Sequence, residues 1–181
     1  MSVCIALIRG INVGKGNRIA MADLKELMIE LGHNKVQTLL NSGNVVFQSK
    51  RPNVAKLSAD IQAAILRNSG FSASVMVVTA QDLDRIIDEN PLLRVANDPA
   101  KHLVAFVANA KHLDPLRPLL DETWTPDVLA MTQHAAYLWC STGLLESKMS
   151  QAFARKAGAT ITMRNWATLS PALSTRGVAP K

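Results

Sequence analysis

Residues Arg9 to Arg18, Arg-Gly-Ile-Asn-Val-Gly-Lys-Gly-Asn-Arg, hold three of the nine glycines of the chain and three cations, Arg9, Lys15 and Arg18. Glycine lets backbone amides approach a ligand with no Cβ in the way. The start of a following helix leaves N–H groups without intrahelical partners, and cations add long-range attraction. That chemistry holds phosphate or carboxylate. The candidate anion contacts here are Arg9, Gly10, Asn12, Gly14, Lys15 and Arg18, joined by Ser42 and Asn44 of a nearby turn. No residue pattern elsewhere names a reaction, so no catalytic residue is assigned.

Sharper readings of the same residues fail on spacing. Gly10 and Gly14 enclose three residues where a P-loop has four, and Lys15 is followed by Gly16, not by a magnesium-binding Ser or Thr. A dinucleotide fingerprint on Gly14-Lys15-Gly16 would need glycine at position 19, which is Ile19. His33, His102, His112 and His134 are scattered, with no Cys or carboxylate at ligand spacing, so neither a metal nor a cofactor is expected. Ser42 has no histidine close in sequence and lacks a strand-turn-helix elbow, while Ser147 reads as part of the first turn of a helix. The pairs Asp88-Glu89 and Asp121-Glu122 fall at helix ends, where solvated charge is the ordinary explanation.

A chain of 181 residues, 48% hydrophobic and 19% charged, can bury roughly 70% of its unfolded surface, as one large domain or two small halves. The apolar run Val3 to Ile8 is too short for a signal-peptide core, and no segment reaches the length of a membrane span. Cys4 and Cys140 each lie among apolar residues and read as buried thiols of a reducing compartment, the cytoplasm. Charge is uneven. Residues 1–79 carry nine Lys/Arg against four Asp/Glu, residues 80–127 five against nine, and residues 128–181 six against one. Basic ends around an acidic middle favour a negative partner, nucleic acid first, or let the basic parts face the acidic part within one fold or dimer. The oligomeric state does not follow from the sequence.

The elements that must position the loop follow from periodicity. Val3 to Ile8 reads as a strand, and Met21, Leu24, Leu27, Met28 and Leu31 form a helical stripe stopped at Gly32. Val36 to Leu40 and a strand starting at Val45-Val46-Phe47 flank a tight Ser42-Gly43 turn. A second stripe, Val54, Leu57, Ile61, Ala64 and Ile65, ends near Gly70 and leads to a strand over residues 73–79. Thr79 with Asp82 starts a connecting helix that must end at Asn90-Pro91. A strand over 102–108 follows, then a short helix begun by Asp114-Pro115 in spite of Pro118, and a hairpin of 128–132 and 135–141. A helix over 146–157, with Met149 and Phe153 inward, and a strand over 159–163 complete the order.

Both halves therefore read as β-α-β-β-α-β, the ferredoxin-like motif of two helices on a four-stranded antiparallel sheet. The expected class is α+β with two tandem ferredoxin-like subdomains: residues 1–79, a connecting helix and loop at 80–100, and residues 101–181 with a C-terminal helix or tail. In such a sheet the end of strand one at Arg9 lies beside the start of strand three at Asn44, so the glycine loop and the Asn41-Ser42-Gly43-Asn44 turn share one edge. An RNA-recognition motif has the same element order but stacks bases on aromatics of strands one and three, where this chain has only Phe47. Nucleic acid would instead be held by its phosphates, through Arg9, Lys15, Arg18, Lys50, Arg51, Lys148, Arg155, Lys156 and Arg164.

A set of motifs also carries a resemblance. Arg9-Gly10-Ile11-Asn12-Val13-Gly14, Met21-Ala22-Asp23-Leu24, Ser42-Gly43-Asn44-Val45-Val46-Phe47, Asn90-Pro91 and Arg164-Asn165-Trp166-Ala167-Thr168 resemble the bacterial domain-of-unknown-function family 1697 over most of the chain. The resemblance implies two ferredoxin-like subdomains in tandem, their first strands either kept or exchanged, and no established activity. Exchange would move the glycine loop beside Gln133-His134. Two departures are Lys15-Gly16, which shifts the loop cation by one residue, and Pro171, which interrupts the closing helix. The second motif, Arg164, Asn165 and Trp166, follows the last strand, where Trp166 either stacks on a ligand base or plugs the core.

Three functions stay open at this level. The first is a binding module for phosphate-bearing ligands, nucleotide or nucleic acid. The others are an enzyme acting on a nucleotide or phosphorylated metabolite, and a structural or interaction protein without a small ligand.

Overall fold

The computed structural model of the chain describes residues 1–50 and 52–169. Arg51, Pro171 and the C-terminal helix or tail lie outside the described residues. The first seven elements are β1 (Ser2–Arg9), α1 (Met21–Glu30), β2 (Asn34–Leu39), β3 (Asn44–Ser49), α2 (Val54–Ser69), β4 (Ser74–Thr79) and α3 (Ala80–Asp88). They are followed by β5 (His102–Val107), a 3-10 helix (Ala110–Asp121), β6 (Val128–Met131), β7 (Ala135–Trp139), α4 (Lys148–Ala157), a short 3-10 turn (Gly158–Thr160) and β8 (Ile161–Asn165). The chain divides into two compact units between Asp84 and Arg85, inside α3.

The first unit contains an antiparallel sheet ordered β2-β3-β1-β4. Its helices obey the apolar spacing: α1 turns Leu24, Leu27 and Met28 inward, and α2 turns Leu57, Ile61, Ala64 and Ile65 inward. These pack with Cys4, Ala6 and Ile8 of β1 and Val45 and Phe47 of β3 in one buried cluster. At the end of α1 the Gly32 N–H donates to the Ile29 carbonyl at 2.9 Å and the His33 N–H to the Met28 carbonyl at 3.2 Å, a Schellman stop. The Asn53 side chain accepts from the Lys56 N–H at 3.0 Å and starts α2.

The β2–β3 connection is longer than the tight Ser42-Gly43 turn read from the sequence. Leu39 pairs with Asn44, so the loop is the four residues 40–43, with Leu40 and Gly43 both left-handed. The first strands are not exchanged: β1 pairs with β3 and β4 of its own sheet, and β5 with β7 and β8 of the other.

The second unit contains an antiparallel sheet ordered β6-β7-β5-β8. The helix expected from Asp114 instead starts four residues earlier, capped by Asn109, whose Oδ1 accepts from the Lys111 N–H at 2.9 Å. It is a 3-10 helix because Leu113, Leu116 and Leu119 recur every three residues and are all buried, a spacing that aligns at three residues per turn. Pro115 and Pro118 sit inside it, where an α-helix would lose its i to i−4 bonds. α4 begins at Lys148, two residues after the sequence reading, because Ser147 is its cap and accepts from the Ser150 N–H at 2.9 Å. The Gly158–Thr160 turn then delays β8, which carries Arg164 and Asn165 inside the strand and not after it.

Both faces of each first strand are buried. In β1, Ile5 and Leu7 point away from the helices and are as inaccessible as Ala6 and Ile8, and in β5, Val104 and Phe106 do the same.

Candidate functional site

The loop between β1 and α1 is organised by its own polar groups. Ile11 is buried and anchors it to the core, and Gly10, Asn12, Gly14 and Asn17 all adopt left-handed backbone, with φ from +52° to +85°. Such conformations are cheap for glycine and tolerable for asparagine. The Asn12 side chain clamps the loop. Its Oδ1 accepts from the Ile19 N–H at 3.0 Å, and its Nδ2 donates to the carbonyls of Ile19 at 2.9 Å and Asn41 at 3.1 Å. Asn17 donates to the Gly10 carbonyl at 3.1 Å, and Arg18 Nη2 to the Gly14 carbonyl at 2.6 Å.

The β2–β3 loop does meet this segment. The Ile8 N–H donates to the Gly43 carbonyl at 2.8 Å, and a Cβ on Gly43 would come within 2.9 Å of the Ile8 carbonyl and 2.8 Å of Ile11 Cδ1. Ser42 and Asn44, expected to line the site, bond to each other instead: Asn44 Nδ2 donates to Ser42 Oγ at 2.9 Å and to the Leu39 carbonyl at 3.3 Å. Asn12 and Asn44 therefore hold the scaffold and are not offered as ligand groups. Arg9 ends β1 half-buried opposite Ser74, on the sheet face of Ile5 and Leu7. Lys15 is exposed, and so is the apolar tip residue Val13.

Behind the loop stands the N-terminus of α1. Ala20 is its cap residue, and no side chain among the described residues caps it. The first-turn amides are thereby left to solvent or to an anion, with Asp23 the acidic residue in that turn. A Cβ built on Gly10, Gly14 or Gly16 meets nothing within 4 Å, so the loop backbone faces open space.

The second motif is a packing device. Trp166 stacks on the buried His102, ring centroids 5.1 Å apart and planes 9° from parallel. Asn90 Nδ2 lies 3.2 Å from His102 Nε2, and Asn90 Oδ1 accepts from the Leu92 N–H at 3.0 Å. Donation by the amide makes Nε2 the acceptor and puts the imidazole proton on Nδ1. Burial pushes the His102 pKa down to about 4. Asn165 Oδ1 accepts from the Thr168 N–H at 2.9 Å and starts a helical turn after β8. Arg164 pairs opposite Val104 within the sheet and donates to the Met163 carbonyl at 2.9 Å. Asn90 and Trp166, 76 residues apart, thus converge on one histidine.

One acid–base pair was invisible in the sequence. Glu89 and His134, 45 residues apart, are joined by a 2.8 Å contact between Oε2 and Nδ1. The bond from His134 is the main reason that the Glu89 carboxyl is held below the usual carboxylate range. Only the fold closes that gap, since Glu89 follows α3 and His134 sits in the β6–β7 turn. Among the described residues, no group of three or more His, Cys, Asp or Glu could hold a metal ion. The burial of Ile5, Leu7, Val104 and Phe106 also removes the sheet faces on which an RNA-recognition motif would stack bases.

Comparison with known proteins gives solved structures of the same fold and a family. The structure of a conserved bacterial protein, SP0830 from Streptococcus pneumoniae, superposes with a TM-score of 0.76 at 22% sequence identity, covering 94% of this chain and 96% of that one. At that identity the likeness is one of fold. No curated protein matches the chain. The sequence profile of the family described as "Protein of unknown function (DUF1697)" matches residues 1–137, three quarters of the length. The chain therefore belongs to the DUF1697 family.

Proposed function

We propose that this protein is a binding module for phosphate-bearing ligands, nucleotide or nucleic acid, held at the loop of residues 10–18 and the start of α1. The observation that carries the reading is the uncapped N-terminus of α1 directly behind a left-handed glycine loop with Lys15 and Arg18. First-turn amides and the helix dipole attract an oxyanion, and the cations raise its local concentration. The site is narrower than its sequence suggested, because Asn12, Ser42 and Asn44 act as scaffold and leave backbone amides and cations as the contacts. The same reading takes each unit as a ferredoxin-like subdomain, residues 1–79 and 101–181 joined by 80–100, in support of which stand the strand orders β2-β3-β1-β4 and β6-β7-β5-β8. Two free, buried thiols, Cys4 and Cys140, support residence in the reducing cytoplasm.

The test is binding of labelled single-stranded RNA and duplex DNA across a salt series. Log affinity is expected to fall with log salt by about 0.7 to 0.9 per phosphate contacted, and Lys15→Ala with Arg18→Ala to remove one or two contacts in a protein that still melts cooperatively. Asp23→Asn should tighten binding, since it removes the side-chain charge that competes for the same helix end. Failure of RNA, DNA and free nucleotides to bind at low salt sinks the proposal. The Glu89–His134 pair supports a second reading, an enzyme with His134 as general base, for which the check is nucleotide turnover lost in His134→Gln.

A further inference from the structure

The second unit contains a cavity of ≈ 340 Å³ between the end of the 3-10 helix and the outer face of α4. One wall is Leu119, Glu122 and Trp124, and the other is Lys148, Gln151, Arg155 and Lys156. Spacings of three and four put Lys148, Gln151 and Arg155 on a single face of α4, opposite the core-facing Met149 and Phe153. The Trp124 Nε1–H donates to the Leu119 carbonyl at 2.7 Å, which holds the indole in place and leaves its ring as a wall of the cavity.

Charge placement argues for a ligand. Arg155 and Lys156 lie in the last turn of α4, where cations complement the helix dipole and need no other partner. Lys148 is the first residue of the same helix, at its positive end, so helix stability does not explain it. An anion in the cavity would face all three. Lys148 and Arg155 start roughly 10 Å apart along the axis, a span that suits an extended phosphorylated molecule and not a single phosphate. Glu122 stands on the wall opposite these cations, which disfavours a continuous polyanion, while its carboxylate can accept bonds from vicinal hydroxyls. The volume falls at the lower end of the about 300 to 1,000 Å³ typical of small-molecule sites.

We propose that this cavity binds a nucleoside polyphosphate: base against Trp124, ribose hydroxyls on Glu122, phosphates along Lys148, Arg155 and Lys156. Its lining residues all belong to the second unit, and the proposal does not depend on the reading of the loop.

The test is titration of the whole protein with ATP, AMP and inorganic phosphate, followed by tryptophan fluorescence and calorimetry at low salt. ATP should quench emission and bind more tightly than AMP, with inorganic phosphate weakest. Arg155→Ala with Lys156→Ala should weaken ATP by about tenfold or more, as expected for lost charge-assisted bonds. Trp124→Phe should abolish the quench while calorimetry still detects binding. The quench, lost in Trp124→Phe, reports occupancy of this cavity and so separates it from any ATP held by the loop of the first unit. Absence of ATP binding at millimolar concentration, equal affinity in the α4 variant, or phosphate binding as tightly as ATP would each overturn the proposal. Thermal melting of each variant shows that it is folded.

Discussion

Gly43 is the residue on which the loop scaffold most sharply depends. Its φ is +81°, and an added methyl would meet the Ile8 carbonyl and the Ile11 side chain at under 3.0 Å. The left-handed backbone costs a residue with a Cβ roughly 1 to 2 kcal/mol, and overpacking against backbone adds about 1 to 3. Gly43→Ala should therefore destabilise the protein by about 2 to 4 kcal/mol in urea unfolding. A change below about 0.5 kcal/mol, the scale of ordinary surface substitutions, would show that the two loops are not in contact. The sequence marked Gly43 as a turn residue and Asn12 as a ligand. It could not show that the glycine is needed for a close approach, or that the Asn12 amide is spent on Ile19 and Asn41, because those partners come from distant segments.

At the scale of the element, the 3-10 helix makes a prediction that an α-helix would reverse. With three residues per turn Leu119 points inward, 1% exposed, and Leu120 outward, 42% exposed. An α-helical register through Leu113 and Leu116 would instead favour Leu120 as the next inward position. Leu119→Ala should cost about 2 to 5 kcal/mol and Leu120→Ala less than about 0.5. Equal losses in denaturant unfolding would count against the 3-10 register. The prolines were legible in sequence as an obstacle, and they mark the register in which the leucines align. Element type was clearest where the stripe was long, as in α2. Boundaries shifted where a local side chain took a backbone amide, as Ser147 does for α4 and Asn109 for the 3-10 helix.

For the whole molecule, stability should depend on pH through buried histidine. His102 is neutral in the fold, with its pKa lowered from 6.5 to about 4 by burial, so between those values the unfolded chain binds the extra proton. Stability is then complete above pH 6.5 and falls toward pH 4, with a slope of about 1.4 kcal/mol per pH unit from this one group. Burial lowers the His33 pKa as well, and the lowered Glu89 carboxyl acts in the same direction once pH drops below its ordinary 4.5. Unfolding free energies at pH 7.5 and 4.5 should differ by about 2 to 3 kcal/mol through His102, and His102→Asn should flatten the profile. A profile that is flat in the unsubstituted protein would contradict a buried neutral His102.

The same histidine separates what the chain declares from what the fold adds. Apolar periodicity determined the order of strands and helices in both halves, because burying one face of each element is a local requirement written in spacings of two, three and four. The glycines and cations of the β1–α1 loop were equally legible, since backbone freedom and charge belong to single residues. Tertiary structure alone decided that Asn90, His102 and Trp166 form one cluster, that Glu89 meets His134, and that Lys148 and Arg155 share a cavity with Trp124. It also decided that Asn12 and Asn44 serve the scaffold. A side chain's partners depend on which elements pack together, and the free energy of that packing is a property of the whole chain, not of any local spacing.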